Sequence, residues 1–166
     1  MNEHRAHLSR KLVLVDIENL LFGAHARTAE GVLREQSDLI LQIAQARRPT
    51  DQLVVGCNPR LAFSARAAFP TAQLVTRIGA DGADMALIEQ VDSTHAAERF
   101  TELCIVSGDN AFADVAHEVR QAGMLVRVVA PRFGLSAALR LQSDIAVYLP
   151  NAISQHPDAD EGSQAA

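Results

Sequence analysis

The hydrophobic residues of this chain come in short dense runs separated by polar breaks, and the runs alternate between two kinds. Lys11–Ile17 (KLVLVDI), Gln52–Cys57, Gln73–Thr76, Glu102–Val106 and Leu125–Ala130 are nearly continuous apolar stretches. Such stretches read as strands buried on both faces, because a strand with one wet face would alternate apolar with polar. Between them, Val32–Arg47, Arg60–Phe69, Ala83–Ala97, Phe112–Gln121 and Leu135–Leu141 carry the spacing of helices with one apolar face. Ile145–Leu149 is a candidate last short strand, and Pro150 closes the pattern. The order βαβαβαβαβα with brief links predicts a parallel, doubly wound α/β sheet of about five strands.

The pattern also divides the chain. Residues 1–10 are polar and are expected to be a flexible N-terminal segment, residues 11–150 form the domain, and residues 151–166 (NAISQHPDADEGSQAA) are acidic, without period, and expected to be a disordered tail. A chain of 166 residues is long enough for one domain with a real core. Hydrophobic residues make up 48% of it and aromatics only 4%, so Ala, Val, Leu and Ile must supply that core. No apolar run approaches the roughly 20 residues that span a bilayer, and the start has no signal-peptide apolar region. A cytoplasmic protein is the expectation. Cys57 and Cys104 fall inside strand-like runs without CxxC spacing and read as buried small hydrophobes, while the six histidines have no zinc-motif spacing.

The net charge of −5 argues against a nucleic-acid partner only until its distribution is considered. Residues 1–11 carry +2, residues 151–166 carry −3, and the middle carries −4. Six acids of the middle, Asp16, Glu18, Asp81, Asp84, Asp109 and Asp114, lie in just three segments, and without them the middle would be +2. An acidic total is therefore compatible with a cation-filled pocket inside a mildly basic rim. Fourteen of the fifteen bases are arginines, and the single lysine is Lys11.

In an open parallel sheet, ligands sit beyond the carboxyl ends of the strands where the strand order reverses. Asp16 ends the first predicted strand, and Asp109 follows the fourth after Ser107 and Gly108. If those strands are neighbours, both carboxylates enter one crevice. The third segment is GADGADMALIEQV, in which Asp84 shares the apolar stripe of Leu87, Ile88 and Val91 and so belongs at the sheet-facing end of its helix. Each acid also has a local reading: Asp16 as a turn residue, Asp81 and Asp109 as helix N-caps, and Asp84 as a first-turn acid beside a helix N-terminus. Three close carboxylates repel by roughly 4 kcal/mol per pair at an effective dielectric of about 20. An all-oxygen site that needs compensation favours Mg²⁺ or Mn²⁺, whose chemistry suits phosphodiester hydrolysis.

VDIENL at 15–20, GADMALI at 82–88 and IVSGDNAFADVAHEVRQAGMLVRVVA at 105–130 resemble, in order and separation, the NYN branch of the PIN-like nuclease fold. The resemblance covers about residues 11–150. It implies a three-layer α/β/α domain, a Mg²⁺ or Mn²⁺ site, and RNA as the substrate class. Matched residue by residue, it places Asp16, Asp84 and Asp109 as the catalytic, metal-binding acids and Asn19 on the characteristic asparagine of the family. Ser107 falls on a small hydroxyl that supports the strand end, and Asn110 is a substrate contact or a cap; Asn19, Ser107 and Asn110 together form the expected substrate-side set. Glu18 is a possible outer ligand. The departure is Ala111, where the family often has a second acid two residues after Asp109; one metal on three acids is the expected consequence, with Asp114 directed away from the site.

Two other classes compete. One is a catalytically weak RNA-binding module that holds RNA through Arg47, Arg48, Arg77, Arg127 or Arg132, with Phe22 or His25 near a base. The other is a phosphohydrolase of the haloacid-dehalogenase kind with Asp16 as nucleophile, which requires a lysine beside the phosphoryl group; Lys11 stands at the wrong end of its strand. Gly-Lys-Ser/Thr and GxGxxG are both absent, which removes the P-loop and dinucleotide-binding readings.

Overall fold

The computed structural model describes residues 9–21, 26–47 and 49–150, with side chains omitted for 26–29. Phe22, His25 and Arg48, the expected tail 151–166 and most of the expected N-terminal segment lie outside the described residues. The chain runs β1 (Lys11–Asp16), α1 (Ile17–Leu20), α2 (Ala26–Ile43), β2 (Gln52–Cys57), a 3₁₀ turn (Pro59–Leu61), α3 (Ala62–Ala68), β3 (Gln73–Thr76) and α4 (Gly82–Ile88). It continues through α5 (Ser93–Arg99), β4 (Glu102–Val106), a second 3₁₀ turn (Asn110–Phe112), α6 (Ala113–Gln121), β5 (Leu125–Pro131), α7 (Ala137–Gln142) and β6 (Ile145–Leu149). The sheet has six strands in the order β3-β2-β1-β4-β5-β6, one more than the five firm strands of the sequence pattern. Every pairing is parallel.

Side-chain alternation along β1 explains the three layers. Val13 and Val15 join the core under α2 and α3 with Leu33, Ile40 and Phe69. Leu12 and Leu14 join the opposite core with Leu87, Phe100, Phe112, Val119 and Leu139. All six β1 residues are buried, so the period of two delivers apolar groups to both faces and each face needs helices. Right-handed crossovers decide which helices go where. From β1 the chain first winds outward to β3, then returns past β1 and continues to β6, so helices before and after that reversal land on opposite faces.

Two helices differ from the sequence pattern. The apolar spacing of 83–97 predicts one helix, but the backbone stops at Ile88 and restarts at Ser93. Asp92 caps the restart, accepting from the N–H groups of Thr94 and His95 at 3.1 and 3.2 Å, and the Asp-Ser-Thr run offers the backbone side-chain partners that compete with helix continuation. α2 ends four residues before the predicted Arg47 because Gln45 turns left-handed (φ 54°), and the Ala46 N–H closes on the Leu41 carbonyl at 2.9 Å.

The amino end of the sheet has its own charged group. Lys11 pairs with Glu102 at 3.2 Å and Glu102 also accepts from Arg127 at 2.7 Å, all three being buried. A cavity of about 560 Å³ opens there, lined by Ser9, Lys11, Gln42, Gln45, Ala46, Arg47 and Glu102. Its charges are already matched, since Arg47 meets Asp51 at 3.4 Å. None of Asp16, Asp84 and Asp109 lines it. Arg127 is therefore corrected as a candidate RNA contact: it is a buried partner of Glu102 at the end of the sheet opposite the acids. No described helix is long and apolar enough to cross a membrane.

Candidate metal centre

β1 and β4 are neighbours, and the strand order reverses between them. Val15 registers with Val106, so Asp16 and Ser107 leave the sheet side by side. The Ser107 hydroxyl is fully buried and donates to Asp16 Oδ2 at 2.8 Å. Asp16 Oδ1 accepts the Asn19 N–H at 3.2 Å, and Asn19 Oδ1 accepts the Gly108 N–H at 2.9 Å. The two strand ends are thus stitched together twice, once through each loop. Ser107 Oγ also accepts the Asp109 N–H at 3.2 Å, which ties the third acid to the same hydroxyl. Ser107 and Asn19, expected on the substrate side, spend these polar atoms on the framework of the site.

Asp84 arrives from the other side of β1. Asp16 registers with Gly56 on β2, and a Cβ built on Gly56 would stand 2.5 Å from Leu87 Cγ and 3.0 Å from the Ala83 carbonyl oxygen. The missing side chain therefore lets α4 settle onto the strand beside Asp16. Leu87 is fully buried one turn beyond Asp84, and Asp84 itself is 8% exposed. Its carboxyl lies within hydrogen-bonding reach of that of Asp16. Asp81 occupies the N-cap position of α4 but makes no capping bond with its side chain.

Burial, and then the charge of Asp16, pushes the Asp84 carboxyl up to about 8. Asp16 is also raised, chiefly by burial, although bonds from Asp84, Ser107 and Asn19 partly offset it. Burial and mutual charge thus both favour a proton on the pair, with no basic group among the described residues to balance two carboxylates. No Lys or Arg pairs with either acid among the described residues. Glu18, half-buried, is raised by burial and by the Asp16 charge, partly offset by the nearby Asn58 backbone.

Asp109 is half-buried and adds to the negative field at both Asp16 and Asp84. Its Oδ1 accepts the Ala111 N–H at 2.8 Å, so the capping reading of this residue is realised. Among the described residues no three metal-binding side chains are already gathered into a ligand sphere. The donor chemistry nevertheless fits a hard cation: two carboxylates within hydrogen-bonding reach of each other with no described basic partner, a third carboxylate nearby, and only oxygen ligands. Asn110 and Asp114 are exposed, while Phe112 and Val115 fill the core. Gly56 was not foreseen as part of the site, although a glycine inside the apolar run LVVGC was a readable sign of close approach.

Comparison with known proteins agrees with the fold. The family model described as NYN domain matches residues 10–150, nearly the whole folded chain. The chain belongs to the NYN domain family. Among solved structures, a protein of unknown function from Vibrio parahaemolyticus RIMD 2210633 superimposes with a TM-score of 0.60 at 15% identity, covering 88% of this chain and 96% of that one. At that identity the likeness speaks for the fold alone. No curated protein matches the sequence. The NYN family is generally nuclease-like, and its domain here carries an acid pair at the strand-order reversal.

Proposed function

We propose that this NYN domain is a metal-dependent ribonuclease that hydrolyses RNA phosphodiester bonds, with Asp16, Asp84 and Asp109 holding Mg²⁺ or Mn²⁺. The observation that carries the reading is the buried Asp16–Asp84 contact, which lacks any described basic partner and sits where two parallel strands diverge. A cation bound there supplies Lewis acidity toward a phosphodiester and a water. The protein's own contribution is placement. Ser107 and the Asn19 N–H fix both oxygens of Asp16, so that carboxylate is held in one orientation before any ligand arrives. The Asn19–Gly108 bond fixes the separation of the two strand ends. Asp109 uses Oδ1 for its bond from the Ala111 N–H, and its other oxygen is the one this reading gives to the cation. Glu18, half-buried two residues after Asp16, is the outer acid of this reading; burial and the Asp16 charge raise its proton affinity.

A second reading, an NYN-type RNA-binding module with weak turnover, is favoured by Ala111 and by the engagement of Asp109 as a cap. Cleavage of a mixed RNA pool in Mn²⁺ or Mg²⁺ separates the two. Hydrolysis that EDTA removes and that Asp16→Asn lowers at least about 100-fold supports the ribonuclease. Salt-sensitive binding with no cleavage by the wild-type protein refutes it and leaves the module.

A further inference from the structure

The loop that follows β5 is built against the Gly108 backbone, next to Asp109, and presents two unused side chains. Pro131 ends the strand, and the Gly134 N–H donates to the Pro131 carbonyl at 3.0 Å, closing a tight turn with Arg132 and Phe133 at its tip. The turn is anchored beyond Gly134 as well: the Ser136 N–H donates to the Gly108 carbonyl at 2.8 Å, and Ser136 Oγ caps α7 by accepting the Leu139 N–H at 3.2 Å. Gly108 is the residue before Asp109, and a Cβ placed on it would overlap the Gly134 carbonyl. The turn therefore rests directly on the Ser-Gly-Asp backbone.

Phe133 is 94% exposed, the most exposed of the large hydrophobic residues described. Arg132 is exposed and forms no ion pair with any described residue. A lone exposed Phe means little, since much of any protein surface is apolar. Its setting gives it meaning. Adjacent strands lie roughly 5 Å apart, so the end of β5 starts about 5 Å from the strand of Asp109 and about 10 Å from that of Asp16. On the far side of the crevice, the exposed Arg77 is tied to Glu89 at 2.5 Å, while Arg60, just after β2, is exposed and, like Arg132, forms no ion pair with any described residue. What sets Arg132 apart is the exposed ring of Phe133 beside it on a turn braced against Gly108. A braced turn also loses little freedom when it binds.

The geometry points to the Arg132–Phe133 turn as a platform that takes one phosphate and one unpaired base of an RNA strand lying across the acids, a role that rests on the ribonuclease reading for its substrate. Phe133 offers a flat apolar face that a base can stack on, and Arg132 offers a fork of donors to the phosphate beside it. The base must be unpaired, because within a duplex both of its faces are already stacked.

The test uses the full chain carrying Asp16→Asn, so that RNA is not consumed, with fluorescein-labelled single-stranded 12-mers in Mg²⁺: one with bases and one abasic. Adding Phe133→Ala should weaken binding of the base-bearing strand roughly 5- to 100-fold and leave the abasic strand within about twofold. Phe133→Trp should restore the loss. Adding Arg132→Ala should weaken both strands and reduce the slope of log affinity against log salt by about one. Because Phe133 is almost fully exposed, these variants should keep the parent's melting temperature. The platform is overturned if Phe133→Ala binds both strands as the parent does, if it weakens both equally, or if the parent binds neither. Cleavage by the wild-type background is scored separately. If it cleaves no RNA in Mn²⁺ yet Phe133→Ala still costs affinity for the base-bearing strand alone, the hydrolytic reading fails and the platform stands.

Discussion

Replacing Asp84 with Asn should make the metal-free protein more stable at pH 8 and leave it almost unchanged near pH 4. Folded Asp84 holds its proton up to about pH 8, whereas the unfolded chain releases it near 3.8. Between those values the native state binds more protons than the unfolded one, so stability falls as pH rises through the window. Asparagine resembles the protonated acid in shape and does not titrate, so it removes that slope. Two unit charges about 4 Å apart at an effective dielectric of about 20 repel by about 4 kcal/mol. Screening at the open end of the strands, and a proton that still shuttles onto Asp16, reduce the expected gain to about 1–3 kcal/mol at pH 8. For a domain of this size that is roughly 3–10 °C in melting temperature. Urea and thermal unfolding followed by circular dichroism in EDTA at pH 4, 6 and 8 reads the effect directly. In millimolar Mn²⁺ the order should reverse, because the wild-type protein gains binding free energy that the variant lacks. A variant that is less stable than wild type at pH 8 without metal, or that differs by the same amount at every pH, would show that the acid pair is not a source of repulsion.

The other predictions concern how the site is held. Gly56→Ala should cost about 1–3 kcal/mol, because its Cβ would meet Leu87 at 2.5 and 2.7 Å, and should also weaken Mn²⁺ affinity by moving α4; urea unfolding and titration calorimetry check both halves. Ser107→Ala removes a buried donor from Asp16 and should lower metal affinity or RNA hydrolysis about 10- to 100-fold while costing only about 1 kcal/mol of stability. Glu102→Gln should destabilise by about 3–5 kcal/mol without altering Mn²⁺ affinity, since it strands Lys11 and Arg127 as buried cations at the far end of the sheet; equal loss of metal binding in the folded variant would contradict that separation.

The strands, and the end of the sheet at which Asp16 and Asp109 appear, were legible because local physics sets them. A run such as KLVLVD can be covered on both faces only inside a parallel sheet, and an acid at its end has to emerge at the carboxyl edge where ligands bind. The stripe of Asp84, Leu87 and Ile88 likewise put that acid toward the sheet, because a helix fixes which residues share a face. The fragmentation of 83–97 was less legible: the apolar spacing continued through it, and the capping power of Asp92 prevailed over that spacing.

What the chain determines by itself is therefore the set of elements, the face each one buries, and the end of the sheet at which its acids appear. Only the tertiary structure decided that β1 and β4 are adjacent, that α4 packs closely on Gly56 and brings Asp84 within hydrogen-bonding reach of Asp16, that Asp109 is occupied as a cap, and that Arg127 is buried beside Glu102. The reason is that periodicity encodes the direction of a side chain relative to its own element. Contact between elements far apart in sequence depends on strand order, register and the volume of whatever lies between them.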